Sequence, residues 1–337
     1  KYSLVKNFVN YNLPESSDPI EFIPLKHEQL PTFMQGEMIY FNGHKWVSNS
    51  SSLVFENNLS SSLEHKFQQP LSQQQLIDKD SVYSWYKAQT KSQLLKINQP
   101  LNLVIFIPHS DKQILLPELY IQCEQDDKIV TIYEVHSDYK GNNSVTDNSA
   151  DKQSPSNVAT LYSIKLLVTK SSVHYHRLSL REKIASVSWL QVLNQSEFTS
   201  YIWKHKELHQ KEFISIDNQN TTALCSLKLL ANIDGNSHLD LTTQINHTKK
   251  ETTSSQIFKC ILADSAKAAL TGKITIDKNC PQSKAHFRSK HTLLSSRAHI
   301  HSQPQLEILT DDVECAHGSS TGSLQEEELF YLISRGI

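Results

Sequence analysis

Residues 224–276 read LCSLKLLANIDGNSHLDLTTQINHTKKETTSSQIFKCILADSAKAALTGKITI. Four short apolar runs stand out: Leu224 to Leu230, Leu239 to Ile245, Ile257 to Leu262 and Ile274 to Ile276. Runs of this length, bounded by Asn, Asp, Ser, Thr and Lys, read as β-strands rather than helices. The signal continues upstream in Leu103 to Ile107, Glu118 to Cys123, Ile129 to Val135, Leu161 to Val168, Val173 to Leu180, Ala185 to Leu193, Phe198 to Trp203 and Phe213 to Ile216. About a dozen strands with little helix between them make an all-β body.

Sandwich, antiparallel barrel and parallel β-helix all satisfy that pattern. Tight hairpins favour Asn-Gly or Asp-Gly turns, and the chain offers only Asn42-Gly43 and Asp234-Gly235. Open corners filled by Asn, Ser, Thr and Asp suit a β-helix, whose coils take roughly 20 or more residues each. No strict repeat is visible, so periodicity alone favours the β-helix only slightly.

Residues 1–98 form a distinct N-terminal region, with Ser/Asn/Gln-rich tracts at Ser48 to Ser52 and Ser60 to Ser62. Within it, Leu76, Ile77, Val82, Trp85, Tyr86, Leu94, Leu95 and Ile97 recur at roughly helical spacing, which predicts one or two helices over Leu71 to Ile97, ending near Pro100. The β-body occupies 99–312. Its Asn/Ser/Asp-rich insertion from Asp138 to Asn157 reads as a solvent-exposed loop. The last segment, 313–337, begins a C-terminal helical domain. Ser323 and Glu326 form a capping box that starts a helix at about Leu324. An amphipathic helix of about a dozen residues is marginal alone, so natural sequence is expected to continue past Ile337.

Composition narrows the function. Lys and Arg number 33 against 35 Asp and Glu, a net charge of −2 with no field to hold nucleic acid or an anionic membrane. There are 8 glycines, and neither a P-loop nor a G-x-G-x-x-G fingerprint occurs, so the chain carries no phosphate cradle of its own. The five cysteines, Cys123, Cys225, Cys260, Cys280 and Cys315, have the spacing of neither a disulfide framework nor a C-x-x-C metal knuckle. With no signal segment and no apolar run long enough to span a bilayer, a reducing cytoplasmic location is expected.

Chemistry must come from the 16 histidines and the cysteines. His174/His176, His299/His301 and Cys315/His317 are two residues apart, which on a strand puts each pair on one face. For the first two pairs an exposed polar strand face is the simpler reading, since zinc needs three or four converging ligands. Cys315-Ala-His317-Gly318 follows Asp311-Asp312-Val-Glu314, an acidic stretch that attracts a cation and raises a thiol pKa. Cys315 is thus a poor nucleophile, and structural and metal-related roles for the motif stand level. No G-x-S-x-G elbow supports hydrolase chemistry.

Longer motifs carry a family resemblance. In order they are His238-Leu-Asp240, Gln244-Ile-Asn-His247-Thr248, Ser255-Gln-Ile-Phe-Lys259, Leu270-Thr-Gly-Lys-Ile274 and Lys290-His-Thr-Leu-Leu-Ser295. Then come Pro304-Gln-Leu-Glu-Ile308, Asp311 through Gly318, Glu326-Glu-Glu-Leu-Phe-Tyr-Leu332 and Ser334-Arg-Gly-Ile337. This series resembles the C-terminal part of the core of the SufB/SufD family of the SUF iron-sulfur cluster assembly system, and is most similar to SufD.

The resemblance implies a mainly β fold: a right-handed parallel β-helix with a small N-terminal α-containing region and the start of a C-terminal helical domain. It implies a non-catalytic scaffold that pairs with a SufB-like protein through the β-helix, and with a SufC-like ATPase through C-terminal helices lying largely beyond Ile337. A homodimer through the same β-helix edge is the other pairing. Ser289 stands where SufB-type chains carry a scaffold cysteine, whereas Cys315 and His317 match the Cys-x-His of SufD-type chains. The resemblance places His317, with Cys315, at the SufB interface as a transient iron ligand during cluster assembly. No cofactor is expected to be stably bound by the isolated chain, only a transient iron-sulfur cluster shared with SufB. Two other readings are a carbohydrate-active β-helix enzyme and a stand-alone zinc protein using Cys315 and His317.

Overall fold

Alternation of the kind seen at Leu239, Leu241 and Ile245 puts every second side chain on one side of a strand. Such a strand needs a facing apolar surface, and the chain supplies it by coiling. In the computed structural model, residues 36–42, 44–57, 60–68, 92–109, 116–124, 128–138, 160–179, 184–206, 208–323 and 326–336 are described. They form a parallel β-solenoid of about 7 turns.

Its strands are β1 (Glu37–Phe41), β2 (Trp46–Ser48), β3 (Phe55–Glu56), β4 (Ser92–Ile97), β5 (Asn102–His109), β6 (Glu118–Cys123), β7 (Ile129–Asp138), β8 (Thr160–Val168), β9 (Ser172–Ser179) and β10 (Ile184–Asn194). There follow β11 (Glu197–His205), β12 (Leu208–Asn218), β13 (Leu224–Ile233), β14 (His238–His247), β15 (Thr253–Leu262), β16 (Lys267–Ile276), β17 (Lys284–Leu293), β18 (His299–Ile308) and β19 (Glu314–Ser323). From β4 onward successive strands alternate between two sheets, so each coil gives one strand to each. The odd sheet runs from β5 to β19, with β1 and β2 at its start, and the even sheet from β4 to β18, with β3 at its start.

Register shows why no repeat is legible. Ser172, Glu197 and Leu224 are partners in the odd sheet, steps of 25 and 27 residues, whereas Leu224, Thr253, Lys284 and Glu314 continue it in steps of 29, 31 and 30. Corner length drifts while strand spacing stays fixed. Several corners use non-glycine residues at positive φ, among them Lys206, Glu251, Asp264, Asn279 and Asp312. Polar side chains thus serve where glycine would be the usual choice, which accounts for the low glycine content.

The interior is a continuous apolar stack that includes Leu227, Leu239, Leu241, Phe258, Leu262, Ile274 and Phe287. Outside the even sheet, α1 (Ser61–Gln68) lays Leu63 and Phe67 on Leu94, Tyr120, Leu167 and Leu193. At Gly272 on β16 the sheets approach closely: a Cβ there would stand 3.0 Å from the Phe287 ring and 3.4 Å from the Thr243 hydroxyl. Gly272→Val is therefore expected to destabilise the fold by about 1–3 kcal/mol. Chemical denaturation measures this, and Phe287→Leu should recover part of the loss by opening the space.

Two expectations change. Leu94, Leu95 and Ile97, read as the end of a helix, lie on strand β4, and the rest of that expected helix, 71–91, is outside the described residues. Strand β19 occupies residues assigned to the C-terminal helical segment, so the solenoid runs to Ser323. The final helix, α2, is described as Glu326–Ser334, and its expected start at about Leu324 lies outside the described residues. The polar insertion falls almost wholly within 139–159, also outside the described residues.

Candidate functional site

The last coil is built from β18 and β19, each paired on one side only, to β16 and β17. Their outer edges carry backbone donors and acceptors with no strand partner among the described residues. Pro304 lies on β18, where its missing N–H is tolerated because edge strands leave such groups free. Helix α2 does not close this end with its apolar side: Phe330 is 74 % exposed and Ile333 63 %.

Strand β19 positions the two candidate residues. Cys315 is in register with Ala285 and His317 with Phe287, both buried in the solenoid interior. Alternation then puts Cys315 and His317 on the interior-facing side of the terminal coil, about 6.6 Å apart along the strand. Cys315 packs partly against the core, while His317 is exposed at the open end. Burial pushes the Cys315 thiol up, a backbone hydrogen bond at Ala285 lowers it, and the Glu314 carboxylate raises it further. The direction matches the expectation from the acidic stretch, with burial as the larger cause. Glu314 itself points outward and pairs with Lys284 at 3.1 Å and His286 at 3.5 Å.

One strand deeper, Ser289 and His291 on β17 are buried and hydrogen-bonded to each other, and Ser289 also meets the Ser302 hydroxyl of β18 at 2.9 Å. His291 Nδ1 has no hydrogen-bond partner among the described residues, and burial lowers the imidazole pKa to about 4. Ser289 was legible from the sequence, but His291 was missed. Its only signal was the period-two alternation Lys284-Ala-His-Phe-Arg-Ser-Lys-His291, whose inward half ends in polar residues.

The other pairs behave as strand surface. His174 and His176 face outward from β9, and His176 stacks between Tyr133 and Tyr201 at 4.9 and 4.8 Å. His299 and His301 project from the outer face of β18. Among the described residues no three His, Cys, Asp or Glu side chains converge as a metal site, so none of them gives Cys315 and His317 a third ligand. All five cysteines are free thiols. Among the described residues no helix is long and apolar enough to cross a membrane.

The model of the SUF system FeS cluster assembly, SufBD core domain, matches residues 106–337. The chain belongs to the SufBD core family. The Iron-sulfur cluster assembly protein SufD of Escherichia coli (strain K12) is 35 % identical over 98 residues, covering 29 % of this chain and 23 % of that protein. The SufD of Plasmodium falciparum is 27 % identical over 237 residues, covering 68 % of this chain and 15 % of that protein. Protein ABCI7, chloroplastic, of Arabidopsis thaliana is 36 % identical over 100 residues, covering 29 % of this chain and 21 % of that protein. These matches span less than a quarter of each relative's length. The SufB/SufD resemblance and its SufD character hold, and the family fold is the solenoid described above.

Proposed function

We propose that this chain is a SufD-like scaffold subunit of SUF iron-sulfur cluster assembly, non-catalytic, working in the reducing cytoplasm beside a SufB-like partner and a SufC-like ATPase. The observation that carries this is the open terminal coil: an unpaired edge strand that also bears Cys315 and His317. Unpaired edges add strands readily, so β18 or β19 extends a partner's sheet and brings His317 to the partner's thiolates. A second copy offers the same edge and forms the competing homodimer. The SufC-like partner docks on helices at the α2 end, where Phe330, Tyr331 and Ile333 are exposed.

The nascent cluster is cargo. Neutral imidazole is a borderline ligand suited to iron. In the transfer an iron–thiolate bond to the partner is exchanged for an iron–imidazole bond to His317, with no change in electron count. Cys315, its thiol held protonated by burial, lines the contact. The buried carboxylates Glu134 and Glu212 are ion-paired with Arg177 and Lys204, an arrangement that does not favour a carbohydrate-active enzyme.

The test is co-expression with SufB-like and SufC-like proteins. His317→Ala removes an exposed side chain and is expected to leave co-purification and thermal unfolding nearly unchanged while iron and sulfide in the complex fall several-fold. Equal loss of complex and cluster would make the histidine structural. Unchanged cluster yield would remove it from the pathway.

A further inference from the structure

The outward face of the odd sheet concentrates positive charge that no carboxylate answers. Lys259 and Lys290 are direct register partners on β15 and β17, and Arg288 is two residues from Lys290 on the same strand. Lys228 lies one strand further, in the column Lys228–Ile257–Arg288. Like charges directly opposite one another destabilise a sheet, and a chain with net charge −2 has no compositional reason to gather them. None of the four has an acidic partner within salt-bridge distance among the described residues. On the outward positions of β11 to β19 the acidic residues are Glu197, which accepts from the Ser172 hydroxyl at 3.0 Å, and Glu314, which is held by Lys284. The even sheet differs: its Lys273 is neutralised by Glu307 at 2.6 Å.

Apolar side chains lie among these cations. Trp203 is 46 % exposed, with Leu230 next to it in register and Ile257 between Lys228 and Arg288. Beyond them, the outward positions of β19 are Ala316, Gly318, Ser320 and Gly322, with Glu314 at its start held by Lys284, and a Cβ at either glycine would meet nothing within 4 Å. The basic and apolar patch therefore continues without obstruction to the edge strand.

We propose that this face docks an acidic protein segment, one presenting several carboxylates around one or two large apolar side chains. Exposed tryptophan beside cations is the composition of an interface hot spot, and the four unanswered cations supply the charge complementarity. A single-stranded nucleic acid fits less well because base stacking needs free ring faces. Here Tyr133, His176 and Tyr201 stack on one another, and Lys228 sits 4.8 Å over the Tyr201 ring.

The probe is a fluorescein-labelled synthetic amphipathic peptide of glutamates with leucine and phenylalanine on one side, read by anisotropy against the full chain. Binding is expected, weakening several-fold from low to physiological ionic strength. Lys259→Glu with Lys290→Glu should weaken it at least about tenfold, Lys259→Gln with Lys290→Gln less, and Trp203→Ser about tenfold. These side chains are exposed, and unchanged thermal unfolding checks that the variants fold. The proposal is overturned by failure of the wild type to bind the glutamate peptide, by binding that ignores both the charge and the tryptophan substitutions, or by tighter binding of oligothymidylate than of the peptide.

Discussion

Arg177→Ala is expected to lower stability by about 3–5 kcal/mol, enough to leave little folded protein at physiological temperature. Arg177 is fully buried inside the solenoid, where Nε donates to Glu134 at 3.1 Å and Nη2 to Tyr162 and Ser188 at 2.9 and 3.0 Å. Its Nη1 lies 3.5 Å from Glu212, which Lys204 also holds. Tyr162 and Tyr175 each donate to Glu134 at 2.6 Å. Burial by itself would push the Glu134 carboxyl up. The Arg177 guanidinium, with hydrogen bonds from His136 and Tyr162, overrides that and holds it below the usual carboxylate range. Removing the guanidinium leaves Glu134 as a buried anion without its main counter-charge. Urea unfolding measures the loss, and Arg177→Met with Glu134→Leu should recover much of it, because a packed apolar pair replaces a buried ion pair at little net cost. A loss below about 1 kcal/mol for Arg177→Ala would mean that water reaches the network.

Acid should unfold the protein well above the pH at which carboxylates protonate. His247 is buried, with Nδ1 2.6 Å from the Thr252 hydroxyl and Nε2 2.7 Å from the Ser254 hydroxyl, and burial lowers its pKa to about 4. His291 is shifted to the same value, and burial also lowers His136. In the unfolded chain each returns to about 6.5. Between these limits the unfolded state binds protons that the folded state refuses, so stability falls as pH falls. The slope is about 1.4 kcal/mol per pH unit for each histidine, and buried Asp217, its carboxyl pushed up to about 7 by burial, offsets one histidine's share over the same range. The stability is fully present above about pH 6.5 and erodes toward pH 4, and the depressed Glu134 and Glu212 add their loss only below about pH 4.3. Urea midpoints at pH 7, 6 and 5 test this: a steep decline is expected, and His247→Gln should flatten it by one histidine's share. Equal midpoints at pH 7 and 5 would show that these imidazoles are protonated freely in the fold.

Much of the solenoid was legible because local alternation reports a strand whatever it pairs with. Glu118–Cys123 was read with its bounds as they stand, and the runs around Leu161, Leu224 and Leu239 became β8, β13 and β14. Among the strands absent from that reading, β17, β18 and β19 share a cause. The inward positions of β17 include Ser289 and His291, β18 contains Pro304, and β19 is Glu-Cys-Ala-His-Gly-Ser-Ser-Thr-Gly-Ser. Each lacks the apolar run that marks a strand in isolation and is held by a parallel neighbour about 30 residues earlier in the chain.

What the amino-acid order determines alone is the β-rich body, the lack of a phosphate cradle, the SufB/SufD motif series and the Cys315/His317 pair. Tertiary structure decided which side of each strand is interior. Period-two alternation defines two faces, but where both carry polar residues, as around Glu134, Arg177 and Glu212, only coil-to-coil pairing shows that these charges are sealed inside while Lys259, Arg288 and Lys290 face water. It also decided that Cys315 and His317 stand on an unpaired edge strand rather than in a turn. The physical reason is that parallel pairing is made between residues 24 to 66 apart, so the partner that buries or exposes a side chain lies beyond the reach of any local pattern.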